Sequence, residues 1–401
     1  MRAFHRGAVA TIQAGAGPVV SAVEEGVLAA EEDSAAAEVS PAVAGQLEGG
    51  RNMLIVMKSE AAQNDVERVK EKVRSLGFVP HEIPGAQRVA IGITGNKGGL
   101  DPNLFLSMNG VQDAVSVSKP FKLVSREVKQ EDTVIDVGAD RIGGRELTVI
   151  AGPCSVESRQ QILETAEILR DMGVRFLRGG AFKPRTSPYA FQGLKIEGLE
   201  FLKEAAERTG LHVVTEVKDT ETIAAVSECS DILQVGARNM YNFSLLERLG
   251  ELRKPVLLKR SFAATVEELL MAAEYLASRG NYNIILCERG IRTYETYTRN
   301  TLDLNAVPLL KSLSHLPVFV DPSHGTGRWD LITPMALAAV VAGADGVIVE
   351  VHPDPAAALS DGFQSLRPDK FRTLLARLQE LAPFAGRQLT LAPSFKISAT
   401  N

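Results

Sequence analysis

Thr148-Val149-Ile150-Ala151-Gly152-Pro153-Cys154-Ser155 is an apolar run closed by Gly-Pro, with a thiol directly after it. Its side chains do not alternate between apolar and polar. A strand of that kind is buried on both faces, as in a parallel sheet covered by helices. The pattern returns at 175–178, 212–216, 232–235, 256–259, 284–287, 317–320 and 346–350, after the first run at 148–151. Helical patterns fall between the runs and start near Ser158, Gly198, Asp219, Phe243, Thr265, Leu302 and Asp330. An eighth covers about 368–381. Eight βα units in about 235 residues predict an α/β chain with a (β/α)8 TIM barrel over 148–385. The alternative is an open doubly wound sheet, but no Gly-x-Gly-x-x-Gly opens the first unit.

Upstream, residues 53–120 read as a second, smaller domain. A compact strand at 53–58 precedes Val66, Val69, Val73 and Leu76 at helical spacing, and Gly77 stops that helix. Strands at 79–83 and 88–94 follow, then a short helix after Asp101-Pro102 and a last strand at 111–117. The order β-α-β-β-α-β predicts a ferredoxin-like sandwich of about 65 residues. Residues 121–147 form a linker, with a hairpin expected between 134–137 and 146–150 around Gly138 and Gly143-Gly144. Residues 1–52 read as a disordered or weakly helical extension, and 386–401 as a C-terminal tail.

The net charge is −5, and the first 52 residues supply most of it through Glu24, Glu25, Glu31, Glu32, Asp33, Glu38 and Glu48. The remainder is near neutral, so no basic face for nucleic acid is expected. No run of about 18 apolar residues exists, so no membrane span is expected. Three cysteines (Cys154, Cys229 and Cys287) fit a reducing compartment, the cytoplasm, rather than a disulfide framework. The acids near the N-terminus argue against a transit peptide.

The strand ends carry the chemistry. In order they present Cys154, Arg178, Glu216, Arg238, Lys259, Glu288 with Arg289, Asp321 with His324, and Glu350. One charge at one strand end is commonly just a solvated edge. In a barrel all eight ends open on a single face, where active sites form. Cys154, His324, Glu350 and Asp361 offer a thiol, an imidazole and two carboxylates, a ligand set for one divalent cation. A thiolate among N and O donors suits Mn, Fe, Co or Zn better than Mg or Ca. Taken singly, a Cys is usually a small hydrophobe; Cys154 stands out because it follows Gly-Pro at a strand end. His352 and Asp354 lie close enough in sequence to support the ligands. Cys229 and Cys287 read as structural, and oxidative pairing of Cys154 with a neighbour stays open. Arg178, Lys183, Arg238, Lys259 and Arg289 would crowd the same mouth, which calls for an anion bearing phosphate and carboxylate. Lys183-Pro184-Arg185-Thr186-Ser187-Pro188 adds cations and hydroxyls for a second phosphate.

At these residues the chain resembles the 3-deoxy-D-arabino-heptulosonate 7-phosphate (DAHP) synthases over roughly 53–383. It is most similar to the microbial branch with an N-terminal ferredoxin-like domain. The motifs are Ala151-Gly152-Pro153-Cys154-Ser155, Arg178 through Lys183-Pro184-Arg185-Thr186, Gly236-Ala237-Arg238-Asn239, Leu258-Lys259-Arg260 and Glu288-Arg289-Gly290. They continue with Asp321-Pro322-Ser323-His324, Glu350-Val351-His352-Pro353 and Ser360-Asp361-Gly362. The resemblance implies a transferase that condenses phosphoenolpyruvate with erythrose 4-phosphate, the first step toward aromatic amino acids. It implies one divalent metal on Cys154, His324, Glu350 and Asp361. Phosphoenolpyruvate would meet Arg178, Lys183, Ala237, Arg238, Lys259 and Arg289, and erythrose 4-phosphate would meet Lys183, Arg185, Thr186 and Ser187. Lys183 would act as proton donor and Glu216 would orient water, beside Cys154 and His324 at the metal. A Tyr or Phe effector on the ferredoxin-like domain is implied, with His81 as a candidate contact against a plain surface-turn reading. A homo-tetramer or dimer is implied too, and another shikimate or chorismate enzyme is a candidate partner. The 52-residue extension departs from the pattern.

Three other readings compete. A 3-deoxy-octulosonate 8-phosphate synthase-like enzyme would use arabinose 5-phosphate on the same barrel, but carries an Asn-containing pattern where this chain has Lys-Pro-Arg-Thr. A Schiff-base aldolase would use Lys259 and would not need Cys154. A non-catalytic regulatory partner would not keep the ligand and arginine sets intact.

Overall fold

The computed structural model describes residues 52–84, 89–95, 100–117, 119–184 and 189–392. The expected extension, apart from residue 52, lies outside the described residues, as do Arg185, Thr186 and Ser187 and the tail beyond 392. The first elements are β1 (Asn52–Met57), a helix at Gln63–Ser75, β2 (Val79–Pro84), β3 (Val89–Thr94), a helical turn at Asn103–Leu106 and β4 (Val111–Val117). They form an antiparallel sheet in the order β2-β3-β1-β4, the ferredoxin-like arrangement. Val66, Val69 and Val73 lie on one helix face and bury against Ile55, Ile91 and Ile93. Burial of each is worth about 1.5–3 kcal/mol. Gly77 then takes φ 81° and ends the helix in a left-handed turn. His81 is not in a turn. It sits in mid-β2, half-buried, with Nε2 2.8 Å from Thr94 Oγ1, because the strand continues to Pro84.

The linker supplies β5 (Ile135–Val137) and β6 (Asp140–Ile142). Here the expected pairing is corrected: the second strand of the hairpin is β6, not 146–150. Gly138 at φ 58° and Ala139 make a two-residue turn, which returns the chain at once. Gly143 and Gly144 redirect it into the barrel instead. Ile135, Val137 and Ile142 cluster with the inward side chains Ile150, Phe176, Val214, Leu257 and Ile348. The hairpin therefore plugs the barrel. It does so at the N-terminal end, since Gly138 abuts His212 and Gly143 abuts Pro317, both at strand starts.

The barrel strands are β7 (Thr148–Gly152), β8 (Phe176–Arg178), β9 (His212–Glu216), β10 (Ile232–Val235), β11 (Val256–Lys259), β12 (Ile284–Glu288), β13 (Val318–Val320) and β14 (Gly346–Glu350). They close in sequential order with β14 paired to β7, all parallel. Ser158 and Thr265 cap helices Arg159–Asp171 and Val266–Ser278 at their expected starts. Two helices start later than expected. Asp219 Oδ1 accepts the Thr222 N–H, and this local turn delays helix Ile223–Cys229. Pro308 lies in the first turn of helix Ala306–Leu313, where its missing N–H costs nothing. Among the described residues no helix is long and apolar enough to cross a membrane.

Leu54, Ile83 and Ala90 on the other side of the ferredoxin-like sheet join Phe121, Leu123 and Val124 in the cluster that also surrounds the barrel. The linker is itself fastened. Leu123 and Val124 donate their N–H groups to Glu274, 3.0 and 3.2 Å away, and Ser314 Oγ donates to Val124 O at 2.6 Å. His315 is 1% exposed; its Nε2 donates to Leu123 O at 2.9 Å, so Nδ1 accepts from Thr133 Oγ1 at 2.7 Å. Burial pushes this imidazole down to about 4 from its ordinary 6.5. As pH falls, the unfolded chain takes up the proton first. The stabilisation is therefore whole above 6.5 and lost as pH drops toward 4, a change on the order of 3 kcal/mol. Urea unfolding of the wild type should show this extra loss between those pH values. His315→Gln should be less stable at pH 7, with the corresponding part of the slope gone.

Candidate active site

The mouth is built where β7 ends. Gly152 has φ 150°, and a Cβ there would lie 2.0 Å from Arg178 O, so only glycine lets β7 close on β8 at this point. Cys154 follows, and Gly180 N–H reaches back to its carbonyl at 3.3 Å. His324 stands on the short helix Pro322–Thr326, whose cap Asp321 accepts His324 N–H at 2.9 Å through Oδ1. Glu350 is the last residue of β14. The thiol, the imidazole and this carboxylate have ligand atoms within 4.8 Å of one another. Asp361 joins them, with Oδ2 3.3 Å from Cys154 Sγ and Arg299 Nη1 3.5 Å from that same oxygen. Its φ is 53°, a conformation that the tight turn into Gly362–Gln364 imposes.

Each group is held by a partner. Glu350 Oε1 accepts Arg178 Nη1 at 2.9 Å, and Oε2 accepts Gln364 Nε2 at 2.7 Å. Burial works against the Glu350 charge, but nearby cations, Arg178 and Lys183 among them, keep the carboxyl below its usual range. Asp321 is likewise buried, yet His324 and Lys259 hold it well below the ordinary carboxylate value. Its Oδ2 is therefore an ionised acceptor, 2.5 Å from Lys259 Nζ and 2.7 Å from His324 Nδ1. Burial takes His324 down to about 4, so the ring is neutral at pH 7, with its proton on Nδ1. The Nε2 lone pair then faces Glu350 Oε1 at 3.4 Å. Burial and the Glu350 charge push the Cys154 thiol up to about 11, against Lys183, whose Nζ is 3.2 Å from Sγ. Two acceptors facing each other beside a protonated thiol fit a divalent cation, which would satisfy the lone pairs and displace the thiol proton. The Asp321–His324 contact is the usual support for such a ligand.

A cavity of about 160 Å³ opens beside this set, lined by Arg178, Lys183, Glu216, Ala237, Arg238, Lys259, Arg289, His324 and Asp361. All five expected cations reach it, though they are not equally available. Arg178 is committed to Glu350 and Lys259 to Asp321. Arg289 is 6% exposed and has no ion-pair partner among the described residues; burial lowers its pKa. Glu216 is half-buried, and its Oε2 accepts Gln234 Nε2 at 3.3 Å. Sequence reasoning missed Arg292, Arg299 and Asn300, which also line the cavity. They belong to the long connection after β12. A loop of that length at a strand's carboxyl end is itself a signal. His352 Nδ1 accepts Asp354 N–H, and Nε2 lies 3.4 Å from Glu157. The three cysteines are free thiols, with Cys287 inside the barrel and Cys229 ending a helix. A larger cavity, about 390 Å³, lies at the opposite, N-terminal end among Arg141, Arg145 and Thr148, and among the described residues no thiol or imidazole lines it.

Residues 128–385 match the model of the DAHP synthetase I family, and residues 53–119 that of the DAHP synthase ferredoxin-like domain. The chain belongs to the DAHP synthase family. It is an enzyme of the transferase type. The phospho-2-dehydro-3-deoxyheptonate aldolase of Thermotoga maritima is 51% identical over 83% of this chain and 99% of its own. The crystal structure of that DAHP synthase covers 85% of this chain and 100% of its own, with TM-score 0.68 and 50% identity. A 2-dehydro-3-deoxyphosphooctonate aldolase of Syntrophobacter fumaroxidans is 34% identical over 61% of this chain and 91% of its own.

In this DAHP synthase family member, Gly236 opens the Gly236-Ala237-Arg238-Asn239 turn for a local reason. A Cβ there would lie 2.2 Å from Glu216 Oε1. Gly236→Ala should push that carboxylate aside and lower turnover about 10²-fold, with circular dichroism unchanged. Normal turnover in this variant would detach Glu216 from the chemistry.

Proposed function

We propose that the enzyme condenses phosphoenolpyruvate with erythrose 4-phosphate and water, giving DAHP and phosphate, the first step of the shikimate pathway. The observation that carries this reading is Arg289, a buried guanidinium without a carboxylate partner among the described residues, facing the same cavity as the thiol–imidazole–carboxylate set. A buried cation of this kind calls for an anionic ligand. Arg289, Lys259, Arg238, Ala237, Lys183 and Arg178 hold phosphoenolpyruvate in this reading. Lys183 with Arg185, Thr186 and Ser187 holds the sugar phosphate. Greater identity to the deoxyheptonate than to the deoxyoctonate relative supports erythrose 4-phosphate over arabinose 5-phosphate.

Cys154, His324, Glu350 and Asp361 would hold one divalent metal among Mn, Fe, Co and Zn, which supplies Lewis-acid polarisation of an aldehyde or water. The enol carbon of phosphoenolpyruvate bonds to the aldehyde carbon, and Lys183 gives a proton to the resulting alkoxide. Water oriented by Glu216 adds to the cationic carbon left behind, and phosphate departs. The guanidinium groups balance the charge that gathers on the phosphate. We further propose inhibition by Tyr or Phe through domain 53–120, homo-oligomer assembly, and a cytoplasmic setting for three free thiols.

Loss of the phosphoenolpyruvate enol absorbance should require erythrose 4-phosphate, and arabinose 5-phosphate should support less than about a tenth of that rate. The reverse preference would overturn the substrate assignment. Co(II) added to metal-free protein should give a thiolate-to-metal charge-transfer band that Cys154→Ser abolishes. A band unchanged in that variant would remove Cys154 from the ligand set. Tyr and Phe titrations should inhibit the full chain and not a chain lacking 53–120; inhibition that survives the deletion sinks the sensor role.

A further inference from the structure

Glu288 ends β12 with no exposure to solvent, one residue before Arg289. Its Oε1 accepts Gly290 N–H at 2.5 Å and faces Asp303 N–H at 3.4 Å. Its Oε2 accepts Arg260 Nη1 at 2.8 Å, and the same Nη1 lies 2.9 Å from Asp303 Oδ2. Arg260 is fixed in turn by Nε donating to Ala264 O at 2.9 Å. One carboxylate thus meets the backbone at both ends of the 290–303 loop. Between those ends Ile291 and Thr301 pair through N–H···O bonds of 2.9 Å in both directions. Arg292, Arg299 and Asn300 line the cavity from this loop, while Tyr294 and Tyr297 stand out into solvent. Gly290 turns at φ 89°. A Cβ there would lie 2.7 Å from Asn300 Cβ, so the loop's two arms are in contact.

The Arg289 side chain has no ion-pair partner among the described residues. Among the described residues its one hydrogen bond is a long Nη1 contact of 3.4 Å to Gly290 O. Its aim is therefore set by its backbone. On one side the backbone is fixed by pairing of β12, and on the other by the Glu288–Gly290 bond. We propose that Glu288 is a positioning residue, whose carboxylate clasps both ends of the 290–303 loop and so directs Arg289 at the substrate's anionic group. This rests on the reading that Arg289 meets phosphoenolpyruvate. A carboxylate is needed because all three groups around it are N–H donors. A glutamine amide has one acceptor oxygen, and its NH2 must confront either Arg260 or Gly290 whichever way it is turned.

The test is phosphoenolpyruvate binding by calorimetry on the full, metal-loaded chain, in wild type, Glu288→Gln, Arg289→Ala and the double variant. Glu288→Gln should raise the Kd about tenfold or more. Because it acts through Arg289, the double variant should bind about as weakly as Arg289→Ala alone. A Glu288→Gln Kd within about twofold of wild type, with Arg289→Ala clearly weakened, overturns the proposal. So do losses that multiply in the double variant, since a merely structural role would act independently of Arg289. If Arg289→Ala binds like wild type, or wild type does not bind at all, the ligand assignment itself fails, and the positioning role with it. Should Glu288→Gln not fold, Asp303→Asn at the more exposed corner of the triad carries the test. It should raise the Kd about threefold, an increase that Arg289→Ala abolishes, and an unchanged Kd counts against the clasp.

Discussion

Asp321 Oδ2 lies between the Lys259 ammonium and the His324 imidazole, and the rest of the site is arranged around that sharing. A buried carboxylate without partners would lose its charge, and a buried lysine without one would lose its proton. Beside these partners Asp321 stays ionised. The same contact puts the imidazole proton on Nδ1 and leaves Nε2 open toward Cys154 and Glu350. Glu350 repeats the device one strand further on, accepting from Arg178 while facing the imidazole. The two carboxylates thereby join the candidate metal ligands to the cations that line the cavity through direct contacts. Neither half of the mouth can shift without disturbing the charge balance of the other.

This coupling explains what the sequence revealed and what it withheld. The barrel was legible because runs such as 256–259 and 284–287 are apolar on every side chain, which has few solutions besides a closed parallel sheet. The convergence of Cys154, His324 and Glu350 was legible because they fall at strand ends, whose direction the fold dictates. Pairing was not legible. Arg178 and Lys259 look like free cations in a list of residues, and only the structure shows them committed to Glu350 and Asp321. The hairpin went astray because Gly143-Gly144 resembles a turn as strongly as Gly138-Ala139 does. Which glycine pair closes the hairpin is decided by contacts at the barrel floor. Arg292 and Arg299 lie in a connection without hydrophobic period, where local pattern carries no information.

The linker shows how two domains of different design become one compact unit. Its backbone donors go to Glu274, its carbonyls to His315 and Ser314, and its apolar side chains cover the free face of the ferredoxin-like sheet. Nothing in residues 121–133 marks them as an adhesive. The signal resides in the barrel's own helix and in the Ser314-His315 turn, more than 100 residues downstream.

The plugged floor has a further consequence. With Ile135, Val137 and Ile142 filling the N-terminal end, the barrel is a cul-de-sac rather than a tunnel. Everything that reaches Lys259 and Arg289 must pass the 290–303 loop and the other connections at the rim, and must leave by the same door. Entry and exit therefore share the carboxyl-end face of the barrel.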